Sequence, residues 1–184
     1  MKKLLLSAVA LMGFATVSMA QNASSTASQS TSLVLSNAIS ITFTGSGTNT
    51  GGAVTLPFST VSDYANGVTS TAQQLEVQSN LPFDVTVNAN STNFTYTGSY
   101  TTGTTMPVSG VLKLMVTANS TGGSIATPFS STAYSTLTDA AQNLITNGTN
   151  GSNQLFSVQY QATPGFTYPA GTYTTDVVYT ATQQ

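Results

Sequence analysis

The side chains that could do acid–base or nucleophilic chemistry are few in this chain of 184 residues. It has five acids and three lysines, and it has no Arg, His, Cys or Trp. Ser–His–Asp and Cys–His nucleophile systems therefore cannot form, and a zinc site lacks its usual ligands. We expect a protein that is not an enzyme and that has no catalytic residue, no cofactor and no metal.

The five acids allow two kinds of site, although none of these acids belongs to a sequence motif. They are Asp63, Glu76, Asp84, Asp139 and Asp176. Two carboxylates can hydrolyse a glycosidic bond if the fold sets them at the right distance. The run from Asp63 to Gly67 offers oxygen ligands and a glycine turn for Ca²⁺, but it lacks the dense acid spacing of a calcium loop. We favour a hairpin tip there.

Lys113 is the one lysine that lies away from the N-terminus. A buried lysine in a β-sandwich can form an isopeptide bond with Asn or Asp, and Glu76 or Asp84 would be the assisting acid. The alternative is an outward lysine that discourages sheets from pairing edge to edge. We favour the second interpretation.

Four tyrosines offer rings and hydroxyls that suit a sugar-binding surface, although sandwich cores and rims also use Tyr. They are Tyr64, Tyr96, Tyr100 and Tyr168. These residues indicate an alternative function, that of a monomeric carbohydrate-binding module of the cell surface.

The N-terminus predicts export. Lys2 and Lys3 precede an apolar run from Leu4 to Val17, and Ser18-Met19-Ala20 supplies small residues at a cleavage site. This layout is typical of a bacterial secretory signal peptide over residues 1–20. Residues 21–32 hold no large apolar side chain and predict a flexible polar leader, and residues 33–184 predict a single domain. We expect a secreted or cell-surface protein with no membrane span after cleavage.

The charge of the processed chain excludes some partners. One lysine against five acids leaves a net side-chain charge of −4 after cleavage. Nucleic acids and anionic membranes attract proteins through clustered Lys and Arg, which are missing here. The absence of cysteine leaves no disulfide framework, so the core must hold the domain together.

Alternation of apolar and polar residues predicts about eight short strands separated by Gly and Asn turns. These runs are Leu33–Phe43, Val54–Phe58, Leu75–Ser79, Phe83–Ala89, Phe94–Gly98, Val111–Val116, Phe156–Tyr160 and Tyr173–Ala181. One helix is predicted over residues 137–145, where Leu137, Ala140, Ala141, Leu144 and Ile145 have helical spacing. The fold class is therefore all-β, an immunoglobulin-like two-sheet β-sandwich with one short helix. Six residues are predicted to point into one core: Phe83, Val85, Val87, Leu112, Leu114 and Val116.

The last part of the chain carries a family resemblance. The run Phe156 to Thr163 (FSVQYQAT) and the run Pro169 to Tyr179 (PAGTYTTDVVY) resemble the final hairpin of two groups of secreted bacterial proteins. These are the spore coat protein U-like proteins and the chaperone–usher pilins. The chain departs from the pilins in having no disulfide and in carrying Gln183 where they have a penultimate Tyr.

The resemblance implies an immunoglobulin-like sandwich completed by a donor strand from a neighbouring subunit. It also implies self-association by strand exchange and a periplasmic chaperone as a partner. Five apolar residues of one parity follow the polar leader and form the expected interaction segment: Leu33, Leu35, Ile39, Ile41 and Phe43. The expected function is a non-enzymatic structural or adhesive subunit of a bacterial surface fibre or coat.

Overall fold

The computed structural model describes residues 25–44 and 51–184. Residues 36–184 belong to one compact unit, whereas residues 25–35 belong to a separate one, have no regular secondary structure and are exposed. The predicted signal peptide lies outside the described residues. The all-β prediction is confirmed, with strands and one helix bounded as follows: β1 Ile39–Thr44, α1 Val61–Asn66, β2 Val68–Thr69, β3 Gln73–Ser79, β4 Phe83–Ala89, β5 Thr95–Thr97, β6 Leu112–Asn119, β7 Ser124–Ile125, β8 Ser135–Thr136, β9 Gln142–Gly148, β10 Gly151–Ala162, β11 Thr172–Thr174 and β12 Val177–Gln183.

The strands form two antiparallel sheets and a small ribbon. The first sheet runs β1-β3-β10-β6-β8, and β2 pairs with the end of β10 beyond β3. The second sheet runs β12-β4-β9-β7, and β5 pairs with β11 in the ribbon. The edge strands β1 and β12 lie on the same side of the molecule, which brings both ends of the folded unit together.

One hydrophobic core lies between the two sheets and takes side chains from both. Strands β3, β4 and β6 bury every second residue along most of their length, as a half-buried strand does. All six residues predicted to face one core are buried within this single cluster. The parity read from the sequence is therefore correct for β4 and β6.

The helix predicted over residues 137–145 is wrong. Residues from Gln142 form β9, which pairs with β4 and β7, while Ala140 and Ala141 are exposed before the strand begins. A register shift against β4 leaves Leu144 as an extra residue, so Leu144 and Ile145 are both buried. This bulge interrupts the two-residue period and made the segment look helical.

The one helix among the described residues is α1, in the run where a hairpin tip was expected. Thr60 caps it, because the Thr60 hydroxyl accepts from the Asp63 amide while the Asp63 carboxylate accepts from the Thr60 amide. No helix of the described part of the chain is both long and apolar enough to cross a membrane.

Three predicted strands have different bounds. The run from Leu33 to Phe43 enters a sheet only at Ile39, and the run Val54 to Phe58 has no regular secondary structure. The run from Tyr173 to Ala181 is divided into β11 and β12, because the backbone N–H and C=O of Asp176 both bond to Asn90.

Candidate functional site

Strand β1 is bound to the domain along one edge only. Its six residues pair antiparallel with β3, from Ile39 opposite Ser79 to Thr44 opposite Gln74. Among the described residues no strand pairs with its other edge. An edge strand presents unpaired backbone groups on its outer side, which makes it the part of a sheet most open to exchange.

The five residues of the predicted interaction segment fall into two groups. Leu33 and Leu35 are 79% and 83% exposed and lie before the first strand, in residues without regular structure. Ile39, Ile41 and Phe43 lie in β1, where Ile39 is exposed, while Ile41 and Phe43 are half-buried and pack against the core. The structure therefore brings together the last three and leaves Leu33 and Leu35 exposed.

Strand β1 closes the side of the core between the two sheets. The ring of Phe43 meets the ring of Tyr179 in β12 edge to face, with centroids 5.9 Å apart. The Gln183 side chain donates to the carbonyl of Ala38 at 2.9 Å, and the Asn80 side chain bonds to Ala38 and Ser36. The amide side chains of Gln183 and Asn80 thus hold the start of β1 by hydrogen bonds.

A groove of about 850 Å³ lies beside the C-terminal end of β1, at one end of the sandwich. Its walls include Phe43, residues 51–58, Tyr64 in α1, residues 164 and 165, and residues 168–177. Gly51 adopts φ +76° against the Phe43 ring, where an added Cβ would stand 2.9 Å from a ring carbon. Only glycine fits this crossing without strain, so the chain passes close over β1 at the groove wall.

Gln73 lines this groove and carries an unsatisfied buried atom. It is 1% exposed, its Nε2 donates to the carbonyl and hydroxyl of Thr71, and its Oε1 has no hydrogen-bond partner. The carbonyl of Thr71 can only accept, so the amide nitrogen must face it and the oxygen is the atom left over. An unsatisfied buried polar atom destabilises a fold by about 1–3 kcal/mol.

A pair of tyrosine hydroxyls lies behind the groove. Tyr160, which lines it, and Tyr179 place their hydroxyl oxygens 2.7 Å apart. Burial raises the pKa of Tyr160 to about 12, although the hydrogen bond from Tyr179 opposes the shift. Burial, followed by the charge of Tyr160, raises the pKa of Tyr179 well above its usual value. Both phenols are therefore neutral donors and acceptors at physiological pH.

The four tyrosines expected to form an aromatic surface are divided by the structure. Tyr64 and Tyr168 line the groove, and Tyr96 lies outside the lining, with its ring 5.0 Å from that of the lining residue Tyr173. Tyr100 is 56% exposed and does not line the groove. The Tyr100 amide donates to the Tyr96 hydroxyl at 3.2 Å, so Tyr96 and Tyr100 lie together, and two of the four tyrosines line the groove.

The capping box of α1 positions one of these rings. The amides of Ser59 and Thr60 donate to the Asp63 carboxylate, and these bonds hold the pKa of Asp63 below its ordinary value. The helix so fixed presents Tyr64, which stacks on Phe166 with centroids 5.6 Å apart. Asp63 therefore has a structural role as a capping residue.

The other charged residues are dispersed over the fold. Asp84, Asp139 and Asp176 each accept hydrogen bonds that join distant segments of the chain. Lys113 lies opposite Gln161 and Thr136, between the buried Leu112 and Leu114, and so on the outer face of β6. This location agrees with the outward lysine that we favoured.

Sequence reasoning missed Gln73, although a signal for it exists. Gln73 shares its parity with Leu75 and Val77, so it is a polar residue at an inward position of a well-defined strand. A polar side chain at such a position needs either a partner or a function.

No protein-family model matches this chain, and no curated protein shows detectable similarity to it in sequence. The functional argument therefore depends on the geometry of β1 and of the groove.

Proposed function

We propose that the protein is an exported, non-enzymatic structural subunit that assembles into a bacterial surface fibre or coat by exchanging β1 between copies. The observation that carries the proposal is the position of β1. It is an edge strand that pairs with β3 alone, covers the core with Phe43 and Ile41, and follows an exposed segment without regular structure. A strand attached in this way can serve its own domain or a neighbouring one.

The free energy that holds β1 on its own domain is small enough to permit exchange of the strand. Full burial of an Ile or Phe side chain contributes about 1.5–3 kcal/mol, so half-burial contributes on the order of 1 kcal/mol per residue. The same six backbone pairings and the same apolar contacts would form in a neighbour as in the strand's own domain. Release of β1 therefore requires only part of a total stability that is about 5–15 kcal/mol for ordinary domains.

The composition supports this function. The chain has too few charged residues for strong electrostatic repulsion between subunits, and it has few side chains that could support catalysis or nucleic-acid binding. A domain whose β1 is not docked would expose Tyr179 and the edge of β3. A periplasmic chaperone that covers this edge is the partner we propose for the stage before assembly. Export would leave a processed chain that begins at Gln21, and its intact mass measures this directly.

The experiment uses the processed chain, residues 21–184, and a variant lacking residues 21–43. The full chain should form polymers at high concentration in size-exclusion chromatography and negative-stain microscopy, whereas the shortened variant should not. A synthetic peptide of residues 33–43 should bind the shortened variant and shorten the polymers of the full chain. A control peptide with Asn in place of Ile39, Ile41 and Phe43 should do neither.

Two results together would overturn the proposal. They are a full chain that stays monomeric at the highest soluble concentration and a shortened variant that is folded but does not bind the peptide. If the shortened variant does not fold, the full chain with Ile41→Asp and Phe43→Asp replaces it. That variant cannot donate its strand but keeps the accepting edge of β3, so it should not polymerise alone and should stop the growth of parent polymers. Polymers formed by the variant alone would overturn the proposal.

A further inference from the structure

The groove beside β1 has the size and lining of a ligand site. Its volume of about 850 Å³ falls in the range of small-molecule sites, which are mostly apolar with a few polar groups that orient the ligand. Phe43, Phe94, Met106 and Tyr160 supply apolar surface, and Phe94 and Met106 join across the groove wall through a backbone hydrogen bond.

The lining indicates a neutral ligand. Asp176 is the single charged residue among the described lining residues, and its carboxylate already accepts from the Asn90 side chain at 2.8 Å. A charged ligand would leave water without meeting an opposite charge, which is unfavourable.

Gln73 indicates that the ligand donates a hydrogen bond. Its Oε1 is an acceptor without a partner, at a position that is 1% exposed and lines the groove. The atom has almost no accessible surface, so a hydroxyl or an N–H group of a bound molecule would satisfy it only if the side chains around Gln73 move aside on binding. A protein keeps such an atom at a cost in stability when a bound ligand satisfies it.

Among neutral ligands that can donate a hydrogen bond, the hydroxyl groups lining the groove favour a sugar. The hydroxyls of Tyr64 and Tyr168 bond to no other described residue, and Thr55, Thr172 and Thr174 also line the groove. Each hydroxyl can donate and accept, as the hydroxyls of a sugar do. The apolar C–H face of a pyranose ring also packs well on aromatic rings.

We propose that this groove binds a short neutral oligosaccharide, with Gln73 Oε1 accepting a hydrogen bond from a sugar hydroxyl. The site does not depend on polymer formation. It would give the protein an adhesive activity besides its structural role, and it can be tested on the dilute monomer.

The experiment titrates the processed chain with cellobiose, maltose, lactose and N,N′-diacetylchitobiose, followed by amide chemical shifts. At least one disaccharide should shift groove residues such as Gln73, Thr172 and Tyr173, and galacturonic acid should shift none. Gln73→Met keeps the length of the side chain and should weaken the binding at least tenfold while raising Tm. The matched control Gln78→Met, at an exposed position of the same strand, should leave both unchanged.

A second pair of variants guards against a folding defect. Tyr168→Ala removes a ring of the groove and should weaken binding, whereas Tyr100→Ala removes an exposed ring that does not line the groove and should not. The proposal is overturned if no disaccharide shifts groove residues at the solubility limit or if the shifts lie outside the groove. Unchanged binding in Gln73→Met, or capture of a short apolar peptide by the groove in place of every sugar, overturns it equally. Sugar binding is measured on the dilute monomer and polymer formation in a separate assay. The titration can therefore be interpreted even if strand exchange does not occur.

Discussion

At the scale of the residue, the inward positions of β4 and β6 are the best-defined part of the molecule. Val85 and Leu114 are fully buried, come from opposite sheets and belong to one core cluster. Val178 lies in β12 of the second sheet and is 42% exposed, which makes it a matched control.

Truncation of Val85 or Leu114 to Ala should therefore lower the free energy of unfolding by about 2–4 kcal/mol, because burial is lost and a cavity remains. Val178→Ala should change it by less than about 0.5 kcal/mol, as ordinary surface substitutions do. Urea unfolding of the three variants measures these values. A loss below the surface value at Val85 or Leu114 would show that the core assignment is wrong.

The tyrosine pair behind the groove predicts a loss of stability in alkali. In the unfolded chain both phenols ionise near pH 10. Burial raises the pKa of Tyr160 to about 12 and raises the pKa of Tyr179 well above its usual value. Above pH 10 the unfolded state therefore loses protons that the folded state retains. The stabilisation is complete below pH 10 and is lost progressively as the pH rises towards the folded pKa.

The shift at Tyr160 alone corresponds to a loss on the order of 3 kcal/mol in total, most of it between pH 10 and pH 12. Urea unfolding across this range should show a shallower decline for Tyr160→Phe than for the parent protein. Tyr100→Phe, at an exposed ring, should decline as the parent does. Equal slopes for Tyr160→Phe and the parent would contradict the burial of this phenol.

At the scale of the element, the strands in which apolar and polar residues alternate without interruption could be predicted from the sequence. Strands β3, β4, β6 and β10 alternate clearly and lie where alternation placed them. Strand β9 could not be read, because its bulge at Leu144 depends on the pairing with β4. Helix α1 was also missed, since a six-residue helix has no apolar period and is held by its capping box.

Strand β1 should open without the rest of the domain. Its amides pair with one neighbour, whereas β10 lies between β3 and β6. Hydrogen exchange should therefore be faster in β1 than in β10, because local opening needs less free energy than global unfolding. Phe43→Ala should raise exchange in β1 by about tenfold, which corresponds to about 1.4 kcal/mol, and should leave β10 almost unchanged.

Thr42→Ala alters an exposed residue of the same strand and is the control for this measurement. Equal protection of β1 and β10 in the parent protein would mean that β1 is an integral strand and would count against exchange.

At the scale of the whole molecule, the small number of charges predicts that the proposed assembly depends little on salt. Without residues 1–20 the chain has one lysine and five acids, so screening by salt has few charge interactions to change. Polymer growth followed by light scattering should vary by less than about threefold between about 20 and about 500 mM NaCl. A change above tenfold would show that charge governs the contact between subunits.

The groove is a property of the whole fold, which explains why sequence reasoning did not find it. Its walls include residues of β1, of the run 51–58, of α1 and of the runs 164–165 and 168–177, which are far apart along the chain. The tyrosines could be singled out by type, but their separation into groove residues and the exposed Tyr100 needed the strand order.

Phe43 belongs to the edge strand and to the wall of the groove at once. A molecule that fits the groove only when this ring is in place would bind the docked state and not the vacated one. It would raise the population of the docked state by the factor 1 + [L]/Kd, and docking would raise its affinity in return. A ligand on the surface of the subunit would then act as an effector of strand release, with saturation of the groove setting the lifetime of each junction.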